Sequence, residues 1–138
     1  MSERSLAETL LELARRDQRA FRTLASDPAI HDSICGFHAQ QAVEKALKAV
    51  LAHSGVVHRR THDIAELLDL VSDSGLAAPP SADRLDELNP YAVEYRYGLI
   101  EPSGLDRSET ERALADALDW AAHLLRSVPR KGDSAEDE

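Results

Sequence analysis

The apolar and polar residues of segment 37–51 separate onto three surfaces when the segment is wound as an α-helix. One surface carries small side chains, a second carries larger aliphatic side chains, and the third carries polar side chains, two of them cationic. In that order the three sets are Ala39, Ala42, Ala46 and Ala49; Val43, Leu47 and Val50; and His38, Gln41, Lys45 and Lys48. We call the last set the polar ridge. The pattern predicts a central helix that packs closely against a neighbour and presents one polar face to something else.

The first helix is predicted to span about residues 5–25. Ser5 and Glu8 have the spacing of a capping box, in which each side chain binds a free backbone donor of the first turn. Its predicted apolar stripe consists of Leu6, Leu10, Leu13, Ala20, Phe21 and Leu24.

The helix that contains the polar ridge is predicted to begin at Asp27-Pro28, with Asp27 as N-cap and proline in the first helical position. It then runs to about His53, with Gly55 as C-cap. At roughly 25 residues it is longer than the usual globular helix, as a central helix of a bundle can be.

Three further helices follow from caps and helix breakers. Thr61 is predicted to cap a third helix that continues to Ser74, and Ser81 after Pro79-Pro80 starts a short fourth helix. A second capping box, Ser108 with Glu111, starts the last helix, which Pro129 closes. No segment resembles a strand, and no internal repeat is present. The predicted fold is all-α: an antiparallel four-helix bundle with a short accessory helix over residues 1–128, followed by a disordered acidic tail at 129–138.

Asp17 is the most informative residue of the first helix, because a carboxylate within an apolar stripe is costly to bury unless it is paired. Three interpretations of Asp17 are open. The helix end tilts away and its carboxylate is exposed to solvent, or it pairs with an arginine and ties two helices together, or it is a functional carboxylate. We predict that it pairs with a cation from another helix, either Lys45 or Arg96.

Segment 89–97 holds half of the aromatic residues of the chain, namely Tyr91, Tyr95 and Tyr97, together with Arg96. Two interpretations carry similar weight. The rings cover one end of the bundle as a packed connector. Alternatively, they form a ligand wall in which a ring stacks on a planar group and the guanidinium binds a phosphate or carboxylate.

Composition limits the class of protein. The 138 residues, 43% hydrophobic, suit one globular domain, and the net charge of −9 disfavours a general nucleic-acid surface while leaving room for a local basic pocket. The N-terminus is too polar for a secretory signal, so we expect a cytoplasmic protein.

The single cysteine, Cys35, excludes an internal disulfide. His58, His62 and Asp63 form only a weak metal pattern, and no phosphate-binding loop is present, so no metal and no cofactor are predicted.

Four segments together resemble the HEPN domain family of bacteria and archaea, over roughly residues 5–128. They are 14–17 (Ala-Arg-Arg-Asp), 37–48 (Phe-His-Ala-Gln-Gln-Ala-Val-Glu-Lys-Ala-Leu-Lys), 61–64 (Thr-His-Asp-Ile) and 89–97 (Asn-Pro-Tyr-Ala-Val-Glu-Tyr-Arg-Tyr). The resemblance implies an antiparallel helical bundle that commonly forms a homodimer. Some members are metal-independent ribonucleases with an arginine and a histidine separated by four to six residues. Others accompany a minimal nucleotidyltransferase and are thought to bind a nucleotide or the substrate.

This sequence departs from the ribonuclease pattern, because its nearest approach, Arg59-Arg60-Thr61-His62, leaves at most two residues between arginine and histidine. The favoured hypothesis is therefore a non-catalytic, dimeric binding module that acts with a minimal nucleotidyltransferase, with a toxin–antitoxin pair as one setting. One alternative is a ribonuclease with a rearranged site, in which His38 or His62 is the base and Arg96 stabilises the phosphate. Another is a pure interaction domain, in which the polar ridge is only a solvated face. The predicted ligand-binding residues are Asp17, His38, Gln41, Lys45, Lys48, Tyr91, Arg96 and Tyr97.

Overall fold

The structure, a computed structural model, describes residues 5–92 and 104–129. Within these ranges all regular structure is helical, which confirms the all-α prediction. The helices are α1 (Leu6–Ala25), α2 (Asp32–His53), α3 (Ile64–Asp73), α4 (Ala82–Asp86) and α5 (Arg107–Ser127), with a 3₁₀ turn at Asn89–Ala92. Three long helices and the shorter α3 build the bundle, and α4 is the accessory helix. None of the described helices is both long and apolar enough to cross a membrane.

The start of α1 is as predicted, and its buried side agrees with the predicted stripe in part. Ser5 Oγ accepts a hydrogen bond from Glu8 N at 3.1 Å, one half of the predicted capping box, and Ser5 Oγ in turn donates to the Glu8 carboxylate at 3.1 Å. The buried residues of α1 are Ala7, Ala14, Gln18 and Phe21. Leu6, assigned to the apolar stripe, is 67% exposed. Phe21 of the predicted stripe is fully buried and Leu24 packs against the core, so only the assignment of Leu6 was wrong. Close approach of α1 to α2 favours alanines at the contact, and Leu6 lies at its edge.

The central helix α2 begins at Asp32, four residues after the predicted first helical residue Pro28, and its N-cap is His31 instead of Asp27. The reason is a tertiary contact from α5. Arg107 donates hydrogen bonds to the carbonyl oxygens of Ala25, Asp27 and Ile30 at 2.6–3.1 Å. Carbonyl groups that turn toward one guanidinium are not aligned along a helix axis, so residues 27–30 form a turn instead.

The remainder of α2 matches the prediction. All four alanines of its small surface are at most 1% exposed. The helix packs against α1, α3, α5 and the 3₁₀ turn, so it is the centre of the bundle. It ends at His53 with Ser54 as C-cap, one residue before the predicted cap Gly55, whose positive φ of 71° lets Val56 N bond back to Leu51 O at 2.9 Å.

Two further N-caps differ from the predicted ones. α3 is capped by Asp63, whose carboxylate accepts from Ala65 N at 2.9 Å, whereas Thr61 instead receives a bond from Asp63 N. α5 is capped by Asp106, not by Ser108, and its carboxylate accepts from Glu109 N at 2.9 Å. In both cases an aspartate close to the predicted serine or threonine supplies the cap, since a charged oxygen binds the helix N-terminus more strongly.

Candidate ligand-binding site on the polar ridge

The carboxylate of Asp17 on α1 joins two residues of the polar ridge on α2. One oxygen lies 3.2 Å from His38 Nδ1, and the other lies 2.5 Å from Lys45 Nζ. The side chain of Asp17 is only 15% exposed. The prediction that Asp17 pairs with a cation of another helix is therefore confirmed, and among the described residues the partner is Lys45. His38 and Lys45 are seven residues apart, two helical turns, so both point to the same side of α2.

The contact with Asp17 assigns a tautomer to His38. A carboxylate beside an ammonium group acts as an acceptor, so His38 Nδ1 carries a proton and donates it. The second nitrogen, Nε2, then has its lone pair available when the ring is neutral. Because His38 is half-buried, this nitrogen can meet a ligand in a defined direction.

A second cluster of polar side chains surrounds Glu44, which directly precedes Lys45 on α2. The Glu44 side chain is 5% exposed and accepts hydrogen bonds from Gln40 Nε2, Lys48 Nζ and His62 Nδ1, each at 3.0 Å. Gln40 Nε2 also donates to the backbone oxygen of His62 at 3.1 Å. We call these four residues the Glu44 cluster. It fixes the segment before α3 to the central helix.

The Glu44 carboxyl is charged in spite of its burial. Removal from water raises the pKa of Glu44, but hydrogen bonds from Gln40, His62 and Lys48, together with the Lys48 charge, lower the pKa below its ordinary value. An ionised Glu44 can only accept, so His62 Nδ1 is the donor. The Nε2 atom of His62 is then directed away from Glu44, on a side chain that is mostly exposed.

A hydrogen bond from Gln41 Nε2 to Gln40 Oε1 at 2.7 Å connects the polar ridge to the Glu44 cluster. The structure thus brings together five of the residues predicted to bind ligand: Asp17, His38, Gln41, Lys45 and Lys48. Two carboxylates balance the two lysines, so the ridge carries no formal excess charge while its histidines are neutral. It presents fixed hydrogen-bond donors, and protonation of His38 or His62 would add positive charge.

The other predicted ligand residues lie elsewhere. Tyr91 is 4% exposed, and its ring packs directly against Gly36 on α2. This position corresponds to the packed-connector interpretation, and a ligand contact by Tyr91 stays a prediction. Arg96 and Tyr97 lie outside the described residues, as does the tail from residue 130 onward.

Glu44 and Gln40 are the residues of this surface that the sequence interpretation missed. Two signals could have found them. Glu44 and Lys48 have the i, i+4 spacing of a helical ion pair, and Gln40 stands beside Gln41. Neither signal reveals that Glu44 is buried, because that depends on the segment before α3 lying across it.

The remaining reactive side chains do not extend the site. Among the described residues no three His, Cys, Asp or Glu side chains are arranged to hold a metal ion. The thiol of Cys35 is buried, and desolvation raises its pKa above the ordinary value, which disfavours the reactive thiolate.

Comparison with known families agrees with the helical arrangement. The family model described as HEPN domain matches residues 7–125. The chain belongs to the HEPN domain family. The match includes the whole polar ridge and the Glu44 cluster of this HEPN domain, and at family level it identifies a nucleotide- or RNA-related module. No curated protein and no solved structure matches the chain.

Proposed function

We propose that this HEPN domain is a cytoplasmic, non-catalytic module that binds a nucleotide or a similar polar substrate on its polar ridge. In this proposal it acts as a homodimer with a minimal nucleotidyltransferase, with a toxin–antitoxin pair as one setting. The observation that carries the proposal is the Asp17–His38–Lys45 cluster, in which a half-buried carboxylate holds an imidazole and an ammonium group in place.

Such a surface suits a ligand with both anionic and hydrogen-bonding groups. Each lysine has three donor protons, so pairing with one carboxylate leaves donors of Lys45 and Lys48 for phosphate oxygens. Gln41 can still accept a hydrogen bond through its amide oxygen. In the proposal, Arg96 adds a bidentate phosphate contact and Tyr97 stacks on a base.

Calorimetry with a panel of AMP, ATP, GTP and a short RNA tests this proposal on the full chain. The informative variant is Asp17→Asn with Lys45→Met, which removes both charges of one pair without leaving either one unpaired. The matched control is Glu111→Gln with Arg22→Met, which neutralises an exposed pair between α1 and α5 at 3.0 Å. Arg96→Ala tests the contribution of segment 89–97.

We expect at least one nucleotide to bind the parent protein, and the affinity to fall about tenfold or more, about 1.4 kcal/mol, in the Asp17/Lys45 variant. The control should bind as the parent does. Binding that is equal in the variant would place the ligand elsewhere. No binding by any member of the panel would remove the support for an intrinsic nucleotide site.

The proposed assembly has separate tests. A reading frame for a minimal nucleotidyltransferase beside this one would support the partner, and co-purification of the two proteins would test it directly. For the homodimer, in which α1 or the apolar edge of α2 contributes to the interface, sedimentation should show a dimer at micromolar concentration. A monomer under those conditions would be evidence against it.

A second candidate function, metal-independent ribonuclease activity, is favoured by one observation. Glu44 holds His62 by Nδ1 and leaves Nε2 on an exposed ring, which is the arrangement that general base catalysis uses. RNA cleavage in the presence of EDTA, lost in the His62→Ala variant and kept in His58→Ala, would support it. Absence of cleavage by the parent protein and its partner would exclude it.

A further inference from the structure

An open groove of about 690 Å³ lies between the N-terminus of α1 and the C-terminal end of α2, on the far side of Lys48 from the middle of the polar ridge. The large apolar residues among those that line it are Leu6, Leu10, Val56 and Val57. We call it the apolar groove. It does not include Asp17, His38 or Gln41, so the proposed nucleotide site does not explain it.

Two of the three large apolar side chains that are exposed among the described residues line this groove. Leu6 is 67% exposed and Val57 is 95% exposed. Only one other large apolar residue among those the structure describes is exposed, Ile34 on the first turn of α2. Two such side chains beside one concave surface indicate an interaction site, since burying them on a partner releases water from apolar area.

Among the residues that the structure describes, the charged side chains lining the groove are basic, although the chain has a net charge of −9. Lys48 and Arg60 lie along it with His58, and no carboxylate of the described residues lines it. Lys48 is held by Glu44, but Arg60 makes no hydrogen bond or ion pair with any residue that the structure describes. An exposed guanidinium without a partner, beside exposed apolar side chains, is complementary to a segment that combines apolar residues with carboxylates.

We propose that the apolar groove binds an amphipathic, acidic segment of another protein. Its apolar side chains cover Leu6 and Val57, and a carboxylate pairs with Arg60. A second copy of this chain fits the groove less well, because a two-fold interface would place the same basic lining on both sides. This inference does not depend on nucleotide binding by the polar ridge.

Site-specific photo-crosslinking in the host cell tests the proposal. Val57 is replaced with p-benzoylphenylalanine in the full chain, and the adducts are identified by mass spectrometry, including the crosslinked peptide. The same replacement at Asp116, exposed on α5, gives the background. Arg60→Glu tests the charge, and Leu6→Ser, compared with Ile34→Ser, tests the apolar contact. All of these positions are exposed, and circular dichroism checks that each variant is folded.

We expect an adduct at Val57 but not at Asp116, with a crosslinked peptide that is apolar and has more carboxylates than cations. Arg60→Glu should reduce the adduct about tenfold or more. Leu6→Ser should also reduce it, whereas Ile34→Ser should not. The proposal is overturned by equal crosslinking at both positions, or by an adduct of two copies. A crosslink within the chain to residues 1–4 or 129–138, or an adduct insensitive to Arg60→Glu, would also overturn it.

Discussion

At the scale of single residues, Glu44 has the most consequence for its surroundings. Its carboxylate is nearly inaccessible to water and instead accepts hydrogen bonds from three donors in two segments of the chain. Loss of the charge would leave Lys48 half-buried beside a neutral group and would release His62. The position therefore couples the stability of the bundle to the geometry of the polar ridge.

Glu44→Gln should destabilise the protein by about 1–3 kcal/mol at neutral pH, because donors are left without their charged acceptor. The pKa of Glu44 is lowered in the folded state, so its ionised form stabilises the fold above the ordinary pKa of about 4.3. That contribution is lost as the pH falls through the lower pKa of the folded state. Chemical denaturation between about pH 6 and about pH 3 should show a weaker pH dependence in the variant than in the parent.

The matched control for this prediction is Glu87→Gln, which removes an exposed carboxylate at the end of α4. Its unfolding free energy should stay within about 0.5 kcal/mol of the parent. An acid dependence of Glu44→Gln that equals the parent's would show that Glu44 is not the group responsible.

At Gly36, the expected change in unfolding free energy on substitution by alanine is opposite to the one that helix propensity predicts. Glycine inside a helix costs about 1 kcal/mol relative to alanine, so Gly36→Ala should stabilise α2 if only the helix mattered. However, a Cβ at this position would lie 2.5 Å from the Cγ and Cε1 atoms of Tyr91. We expect a net loss of about 1–3 kcal/mol of unfolding free energy, as for other overpacked cores.

A double-mutant cycle with Tyr91→Leu separates the clash from other effects of Gly36→Ala. In the Tyr91→Leu background the alanine should cost much less or become favourable, because the ring is gone. An equal cost in both backgrounds would mean that the aromatic ring is not the obstacle.

At the scale of elements, the N-terminus of α3 shows how one side chain can serve two purposes. Asp63 caps the helix through Ala65 N and also accepts a hydrogen bond from Asn89 Nδ2 at 2.8 Å. Asn89 Oδ1 in turn accepts from Ile64 N at 2.9 Å. The cap of α3 thereby holds the 3₁₀ turn that carries Tyr91.

Asp63→Ala should lower the unfolding free energy by about 1–2 kcal/mol, the usual cost of a lost N-cap. The bond from Asn89 and those from the helix N-terminus lower the pKa of Asp63, so its stabilisation is present near neutral pH and disappears as the pH falls through that pKa. Asp69→Ala, at an exposed position inside the same helix, is the control and should have a small effect. Similar losses in the two variants would contradict the capping role.

At the scale of the whole molecule, Arg107 joins three parts of the bundle. From the first turn of α5 its guanidinium reaches the Asp32 carboxylate at the start of α2, the carbonyl group of the last residue of α1 and two carbonyl groups of the connection between α1 and α2. A cation at a helix N-terminus is unfavourable for the helix dipole. That local cost is offset by tertiary hydrogen bonds, which place α5 against both α1 and α2.

Arg107→Lys should destabilise the protein by about 2 kcal/mol or more, because an ammonium group keeps the charge but cannot reproduce the planar fork of donors. Arg112→Lys, on the same helix and largely exposed, is the control and should change stability by less than about 0.5 kcal/mol. Thermal and urea unfolding would measure both. Equal stability of the two variants would show that the Arg107 contacts add little to the fold.

The sequence predicted the helices well where their signals are local. The N-cap at Ser5, the glycine stop after α2 and the buried alanine surface depend on residues within one or two turns of one another, and all three are present in the structure. The start of α2 was wrong because its determinant, Arg107, lies 77 residues from Ile30 in the chain. No local pattern around Asp27 reports a guanidinium that arrives from another helix.

For the candidate site, too, local sequence patterns predicted one part of the arrangement and the tertiary structure decided the other. Helical periodicity alone placed His38, Gln41, Lys45 and Lys48 on one side of α2, and the cost of burying an unpaired carboxylate alone predicted a cation for Asp17. Only the tertiary structure selected Lys45 as that cation, across 28 residues, and placed His62 on a buried Glu44. The physical reason is range: periodicity and capping act through the neighbouring turns of one helix, whereas burial and ion pairing depend on which helices pack together.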